Sequence, residues 1–587
     1  VQVDQRPMWV AGQWRPVPFY LRHQLGQQCR ISGPAVILED HATIVVEPGW
    51  QASVDAAANL VLEQVGDSAG LAADTAFDPI LLELFNHRFM SIAEQMGGVL
   101  AQTAHSVNIK ERLDFSCAIF DTTGQLVANA PHMPVHLGSM SETVAALVRA
   151  HPKLRPGDAF ALNDPYHGGT HLPDITVISP VFLDGAARPA FYVAARGHHA
   201  DIGGITPGSM PAHSTDIGEE GICFEAFALL RDGQFQDAAL RAHLGQGPWP
   251  ARAPDQNIAD LRAQLAANAR GIAELKRMCQ EFGADVVIAY MAHIQHAAEQ
   301  AVRRAIGGLK DGVCTYPMDN GAVIKLRLRI DPVERRAVID FTGTSQQGAH
   351  NFNAPLAITR AAVLYALRCL VDQDIPLNAG CLVPIELIVP ERSILNPRPP
   401  AAVVAGNVET SQAVTNALFL AMGVAAASQG TMNNLSFGND RHQYYETLAG
   451  GTGAGLSFDG ADAVHSHMTN SRLTDPEVLE WRYPVLVENF SIRHGSGGDG
   501  LHRGGNGLVR DVRFLEAMSA AILSNHRAAG PPGLAGGQCG QPGINRIVRA
   551  NGQAQDLPAS AAIDLAPGDR LIVETPGGGG YGTPVNS

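Results

Sequence analysis

Asn163-Asp164-Pro165-Tyr166-His167-Gly168-Gly169-Thr170-His171-Leu172-Pro173-Asp174 runs directly into Ile175-Thr176-Val177-Ile178-Ser179-Pro180-Val181-Phe182. The first stretch reads as a loop from its proline and glycine content, and the second as a strand from its β-branched residues. His171 and Asp174 are thereby placed at the mouth of a strand. A second stretch has the reverse order. Phe191 to Ala195 reads as a strand and leads into Arg196-Gly197-His198-His199-Ala200-Asp201-Ile202-Gly203-Gly204. If the two strands are neighbours, both polar clusters share one rim. Neutral imidazole with carboxylate suits Mn²⁺, Fe²⁺ or Zn²⁺, and an ion with open positions polarises a carbonyl and lowers the pKa of bound water to about 7. The same residues also read as a hydrogen-bonded structural network, and spacing alone leaves the two readings open.

Leu113 to Phe120 offers a third contributor. As a strand it puts Asp114, Ser116 and Ala118 on one face and Phe115, Cys117 and Ile119 on the other. Taken alone, an aspartate that opens a strand is a turn or cap residue. His132, His136 and His213 read individually as hydrogen-bonded core histidines.

Around this region the hydrophobic pattern predicts helices in a cluster. Asp78 caps and Pro79 opens a helix whose Leu81, Phe85, Phe89, Ile92, Met96 and Val99 form one stripe. Two more helices are expected at 256–281 and 284–306, parted near Gly283. Short β-like runs fill much of the rest: Ala322 to Ile330, Ala337 to Phe341, Leu382 to Val389, Val509 to Phe514 and Leu571 to Thr575. Helices grouped in this way, without a strand alternating with each one, indicate a mixed α+β fold with no internal repeat.

Composition narrows the function classes. The 587 residues exceed the roughly 250–300 at which a single core stops growing, so more than one domain is expected. With 42 Lys and Arg against 57 Asp and Glu, the net charge of −15 offers no basic face to nucleic acid or to an anionic membrane. The longest apolar run, around Ala417 to Ala427, is shorter than the roughly 20 residues of a spanning helix, and no charged-then-apolar leader opens the chain. Eight cysteines without a C-x-x-C pair argue against a disulfide scaffold and a cysteine zinc site, and a reducing cytoplasm is the expected setting. Glycine is dense at Gly450 to Gly455, Gly495 to Gly507 and Gly577 to Gly580, but no Gly-x-x-x-x-Gly-Lys-Ser/Thr occurs. These runs read as close backbone packing, with no nucleotide site on this chain.

The chain opens with Val1, and residues 1–65 read as a short all-β piece, with strands at Ala35 to Leu38 and Ala42 to Val46, too small to bury a core alone. Residues 66–76 are small and polar, a linker before the main domain at 77–587. The expectation is a chain that begins inside a larger protein.

Several motifs together resemble the hydantoinase B/oxoprolinase family: Asn163 to Asp174, Arg196 to Gly204, Pro134-Val135-His136-Leu137-Gly138, Gly406-Asn407-Val408-Glu409-Thr410-Ser411, Met468 to Asp475, and Thr575-Pro576-Gly577-Gly578-Gly579-Gly580-Tyr581-Gly582. Residues 1–65, with Gly33 to Ile37 and Val46 to Trp50, resemble the C-terminal end of the partner family, hydantoinase A. An A-type end running straight into a B-type domain is the arrangement of the fused, ATP-dependent oxoprolinases.

The resemblance implies a divided reaction on a small cyclic amide, with 5-oxoproline expected. An actin-like A-type ATPase module, the expected partner, uses ATP-Mg to phosphorylate the amide oxygen, and the B-type part hydrolyses the activated intermediate at a divalent metal site (Mn, Zn or Fe). By the family pattern the ligands fall on Asp114, His171, Asp174 and one of the His198-His199 pair. The family form His-x-x-Asp-x-Gly selects His198. His199 and Asp201 are then the expected proton carriers, and Arg196 and His136 the expected substrate-binding residues. A homo-oligomer is expected. The alternatives are an ATP-dependent hydantoinase or lactamase B subunit, a carboxylase on the acetone carboxylase plan, and a non-catalytic scaffold for an ATPase partner.

Overall fold

A computed structural model describes residues 2–584 except 11, 28, 66–72, 373, 374 and 376. The chain divides into two compact units, Val1–Ala76 and Phe77–Ser587. Most of the expected linker, 66–72, lies outside the described residues. Among the described residues, the regular structure of the first unit is strand apart from one helical turn at Arg22–Gln24. Strands Gln2–Val10, Gln13–Leu21, Ala35–Leu38 and Thr43–Val46 form one sheet, and Arg30–Ser32, Trp50–Val54 and Leu60–Gln64 a second. Contrary to the expectation from its length, this piece buries a small core of its own, including Ile31, Ala35, Ile37, Val46 and Val54. The two sheets share these apolar residues, which length alone does not reveal.

The second unit mixes helix and sheet. Asp78 accepts hydrogen bonds from the amides of Ile80 and Leu81, and Pro79 opens helix α1 (Pro79–Thr103). Its buried stripe is Leu81, Phe85, Phe89, Ile92, Met96 and Leu100, with Leu100 taking the place expected for Val99. Seven antiparallel strands follow: β1 (Phe115–Phe120), β2 (Leu126–Asn129), β3 (Ala159–Leu162), β4 (Asp174–Val181), β5 (Phe191–His198), β6 (Glu225–Arg231) and β7 (Gln234–Phe235). They pair in the order β7-β6-β3-β4-β5-β1-β2.

One face of this sheet packs on helix α2 (Pro134–Ala150) through Phe160, Ile178, Ala194 and the helix residues Leu137, Met140, Val144 and Leu147. The other face carries α1 and helix α3 (Pro254–Phe282), followed at Gly283 by helix α4 (Ala284–Ile306). The α3 stripe is less apolar than its pattern promised. Gln264 donates to the carbonyls of Ile175 and Ala195 at 2.8 Å each, and Asn268 to that of Val177 at 2.9 Å. These buried amides satisfy sheet carbonyls at points where apolar side chains leave them unpaired.

Helix α5 (Leu356–Cys369) packs outside α2 and helix α6 (Ser411–Met422) outside α5. A Cβ on Gly138 would lie 2.4 Å from the Ala361 Cα, so only glycine allows the α2–α5 approach. Three further sheets lie among the described residues of the unit, with the expected strands found at Val323–Asp331, Arg336–Asp340, Ile385–Ile388, Gly507–Phe514 and Arg570–Glu574. The glycine-rich segments zip together backbone to backbone: the Gly505 amide donates to Thr452, that of Gly578 to Gly505, and that of Gly451 to Pro576. All eight cysteines are free. Among the described residues, no helix is long and apolar enough to cross a membrane.

Candidate metal centre

β4 and β5 are neighbours, and their register pairs Asp174 with His198 directly across the strands. The row continues onto β1, whose Ser116 and Phe115 pair with Arg196 and Gly197, so that the carbonyl of Asp114 accepts the His198 amide at 3.0 Å. His171, three residues before the start of β4, folds back over this row. Each of these residues is nearly or fully buried.

Asp174 is the hub. Its Oδ1 lies 3.2 Å from Nε2 of His171 and 3.1 Å from Nδ1 of His198. Its Oδ2 is 3.1 Å from Nε2 of His136, and accepts from the Thr170 hydroxyl at 2.7 Å and the Asn407 amide at 3.3 Å. Burial opposes the charge on Asp174, but His171 and His136 outweigh it and hold the carboxyl well below the usual carboxylate range. Burial also lowers His198, favouring a neutral ring.

One potential donor atom each from His171, Asp174 and His198 lie within 4.8 Å of one another. Nε2 of both histidines is enclosed without a hydrogen-bond partner, since the close approach of His171 to Asp174 is poorly aligned for donation. Enclosed ring nitrogens beside an ionised carboxylate fit a divalent cation of borderline softness.

The remaining expected residues fall elsewhere. Asp114, the residue before β1, stands at the end of the same row, its carboxylate 3.8 Å from Nη1 of the buried Arg112. His199 is turned away from the cluster, because successive residues of an extended chain face opposite sides. It meets Gln264 and Asn257 of α3, each at 3.2 Å. The Asp201 carboxylate accepts from the amides of Gly203, Gly208 and Arg252 and from the Arg252 guanidinium, closing the loop after β5. Neither residue faces the cluster as a proton carrier would. Arg196 does not present its fork to a ligand: it is fully buried and donates to Thr176, Ser139 and Thr143, tying β5 to β4 and α2. His136, expected at the substrate, is instead part of the cluster, because its place on α2 points it down onto the sheet.

Several supporting groups were given no site role in the sequence reading, although Asn407 and Glu409 lie in the motif Gly406 to Ser411 quoted there. The segment Gly406–Thr410 forms a single π-helical turn ahead of α6, which brings Asn407 to Asp174, and π-turns recur at functional sites. Nδ1 of His171 lies 3.4 Å from the Val404 carbonyl. The amides of Val403 and Val404 are held by Glu220, which burial pushes up to about 7. Tyr445 stacks on His198 with centroids 4.6 Å apart, and the Arg112 guanidinium lies over the Tyr445 ring, 5.1 Å from its centroid. The Tyr445 hydroxyl continues through Asn434 to Glu409, which burial pushes up to about 8. Asn407 and Asp174 are far apart in sequence, so no spacing signal joins them.

The hydantoinase B/oxoprolinase family model matches residues 78–584, and the hydantoinase/oxoprolinase C-terminal domain model matches residues 1–65. The chain belongs to the hydantoinase B/oxoprolinase family. It is 45% identical to "5-oxoprolinase 1" of Arabidopsis thaliana over 98% of this chain and 48% of that protein. It is likewise 45% identical to "5-oxoprolinase" of Dictyostelium discoideum, over 96% of this chain and 45% of that protein. The chain thus spans about half the length of the curated relatives it matches. Its fold is similar to that of the ATP-dependent caprolactamase from Pseudomonas jessenii, with a TM-score of 0.78 at 23% identity, over 86% of this chain and 92% of that one. Both parts named from the motifs, the B-type domain and the A-type end, are therefore family members.

Proposed function

We propose that the chain is the hydrolytic half of an ATP-dependent 5-oxoprolinase: with an A-type ATPase module it converts 5-oxo-L-proline, ATP and water to L-glutamate, ADP and phosphate. The observation that carries this reading is the buried Asp174 hub with three imidazoles around it, set in a chain similar along nearly its whole length to proteins named 5-oxoprolinase.

His171, Asp174 and His198 would hold a divalent ion, and Asp114, next in the row, would complete the set. Such an ion, when bound, supplies a Lewis acid for the reacting carbonyl and a water ionised near neutral pH. The chain's own groups prepare that site. Thr170, Asn407 and His136 hold Oδ2 of Asp174, which leaves Oδ1 for the ion. Stacking on Tyr445 fixes the plane of the His198 ring, and the Val404 carbonyl orients that of His171. His136, with Nε2 3.1 Å from Oδ2 of Asp174 and Nδ1 3.3 Å from the Ser116 hydroxyl, would hold that carboxylate in place.

The test is reconstitution. Alone, the chain should neither hydrolyse ATP nor release glutamate from 5-oxoproline, because the lactam nitrogen is a poor leaving group until the carbonyl oxygen is phosphorylated. Supplied with a hydantoinase A-type ATPase module as a separate chain, it should do both. Steady ATP-dependent glutamate production by the chain alone overturns the division of labour. A reconstituted pair that prefers a hydantoin moves the substrate assignment to the hydantoinase branch. A pair in which the chain carries no stoichiometric ion supports the scaffold alternative.

A further inference from the structure

The motif Asn163 to Asp174 carries one pairing twice, in opposite order: His171-x-x-Asp174 belongs to the cluster described above, and Asp164-x-x-His167 has no part in it. The second pair closes as the first does, with Nδ1 of His167 2.5 Å from Oδ2 of Asp164. Further donors join it across the sheet. β3 and β6 are antiparallel neighbours, and their register ends with Leu162 opposite Glu225. Side chains two residues apart on a strand share a face, so the next on that side are Asp164, just past β3, and Cys223, just before β6. One donor atom each from Asp164, Cys223 and Glu225 accordingly lie within 4.8 Å of one another, as those of His171, Asp174 and His198 do.

The group is held on one side and open on the other. The Asn163 side chain donates to the Ile222 carbonyl at 3.0 Å and accepts the Phe224 amide at 2.6 Å, which clamps the two chains on either side of Cys223. It also donates to the carbonyl of Leu172, beside His171, at 2.7 Å. Oδ1 of Asp164 accepts the Tyr166 amide at 2.9 Å and so fixes the carboxylate. The Asp164 side chain is 12% exposed, Cys223 is half-buried, and His167 and Glu225 are exposed. Asp164, His167 and Glu225 also line a cavity of about 350 Å³, which gives an ion its entry. Their two carboxylates outweigh the single guanidinium of Arg149, which lines it too. Burial, joined by the charges of Asp164 and Glu225, pushes the Cys223 thiol above its usual range. A divalent cation among these groups reverses that balance and favours the thiolate. One thiolate, one imidazole and two carboxylates make a four-donor set suited to Zn²⁺, and the sulfur sets it apart from the all-oxygen sites of Mg²⁺ and Ca²⁺. The lack of a C-x-x-C pair excludes a site built on several cysteines, whereas this one needs a single thiolate.

We propose that Asp164, Cys223 and Glu225, with His167 as the fourth donor, form a second divalent-cation site, suited to Zn²⁺, that ties β6 to the loop carrying His171. The site stands on its own residues and does not depend on the reaction assigned to the chain. Its exposed half makes it the weaker of the two, with a Kd of about 10 μM, so that dialysis empties it and leaves the ion at the Asp174 cluster in place. The probe is Co²⁺, titrated into the dialysed full chain and followed by absorption. A thiolate-to-cobalt charge-transfer band should rise and saturate at about one equivalent. Cys223→Ser, which exchanges one atom, should abolish the band, and Asp164→Asn and Glu225→Gln should each weaken Co²⁺ about tenfold. His171→Ala should keep the band while losing the ion at the Asp174 cluster, which separates the two sites. Zn²⁺ should displace the cobalt, and Mg²⁺ at the same concentration should not. The site is overturned by the lack of a saturable band in the parent chain, by a band that persists in Cys223→Ser, by a band that neither Asp164→Asn nor Glu225→Gln weakens, or by Mg²⁺ displacing cobalt as well as Zn²⁺ does.

Discussion

The two histidine groups in the second unit are built from the same side chain and behave in opposite ways. Around Asp174, a fully buried carboxylate faces three imidazoles and keeps its charge. His465 and His467, on the wall of a cavity lined also by Leu370, Phe419 and Gly453, have no carboxylate among the described lining residues, and burial, joined at His465 by the Arg112 charge, leaves both rings neutral. The difference is one buried charge. Where the carboxylate is present, the imidazoles gather around a charge that a cation would match; where the described lining lacks one, they stay neutral.

The sharpest way to break this contrast is His171→Ala. The metal content should fall from about one divalent ion per chain to near zero, measured by elemental analysis of the purified chain. Unchanged content would remove the cluster from the metal assignment.

The cavity's wall provides the next test. A Cβ on Gly453 would lie 1.9 Å from the Ala426 carbonyl, backbone against backbone with no side chain free to give way. Gly453→Ala should cost about 3 kcal/mol in a denaturant titration without lowering the ion content. On the cluster's side, Arg196→Lys should cost about 2 kcal/mol, since an ammonium cannot reach Thr176, Ser139 and Thr143 together, again with the ion retained. If Arg196→Lys instead left stability unchanged and raised KM for substrate, Arg196 would return to the substrate.

The pH dependence of stability offers a further test. His465 and His467 have pKa values lowered from 6.5, so the unfolded chain binds their protons more readily than the folded one. Their contribution is fully present above pH 6.5 and is lost as pH falls through about 4 and 3, by at most about 1.4 kcal/mol per pH unit for each histidine. Thermal unfolding between pH 7 and pH 4.5 should show this loss, and His467→Phe should reduce the slope. An unchanged slope would mean that the His467 ring is protonated in the folded chain.

Much of the fold was legible because local rules act over short distances. Asp78 and Pro79 start α1, Gly283 separates α3 from α4, and the β-branched runs on either side of the polar loops became β4 and β5. The buried amides of α3 were not legible, since Gln264 and Asn268 read as polar surface until the sheet carbonyls beneath them are known. The small core of the first unit was missed for a related reason: it comes from two sheets sharing side chains, which a residue count does not show.

The sequence by itself determined that His171, Asp174 and His198 stand at strand ends and that the chain carries the motifs of its family. These follow from turn chemistry, alternation and residue order. Only the tertiary structure decided that β4 and β5 are partners in a register that sets Asp174 opposite His198, and that α2 lays His136 over them. The same holds for a π-helical turn 233 residues further on that delivers Asn407 to the same carboxylate. It also decided that Arg196, His199 and Asp201, read as catalytic or substrate-binding groups, are consumed by hydrogen bonds within the protein. The physical reason is that a buried polar group must find its partner wherever the fold provides one, and that partner is fixed by packing across the chain, not by neighbours along it.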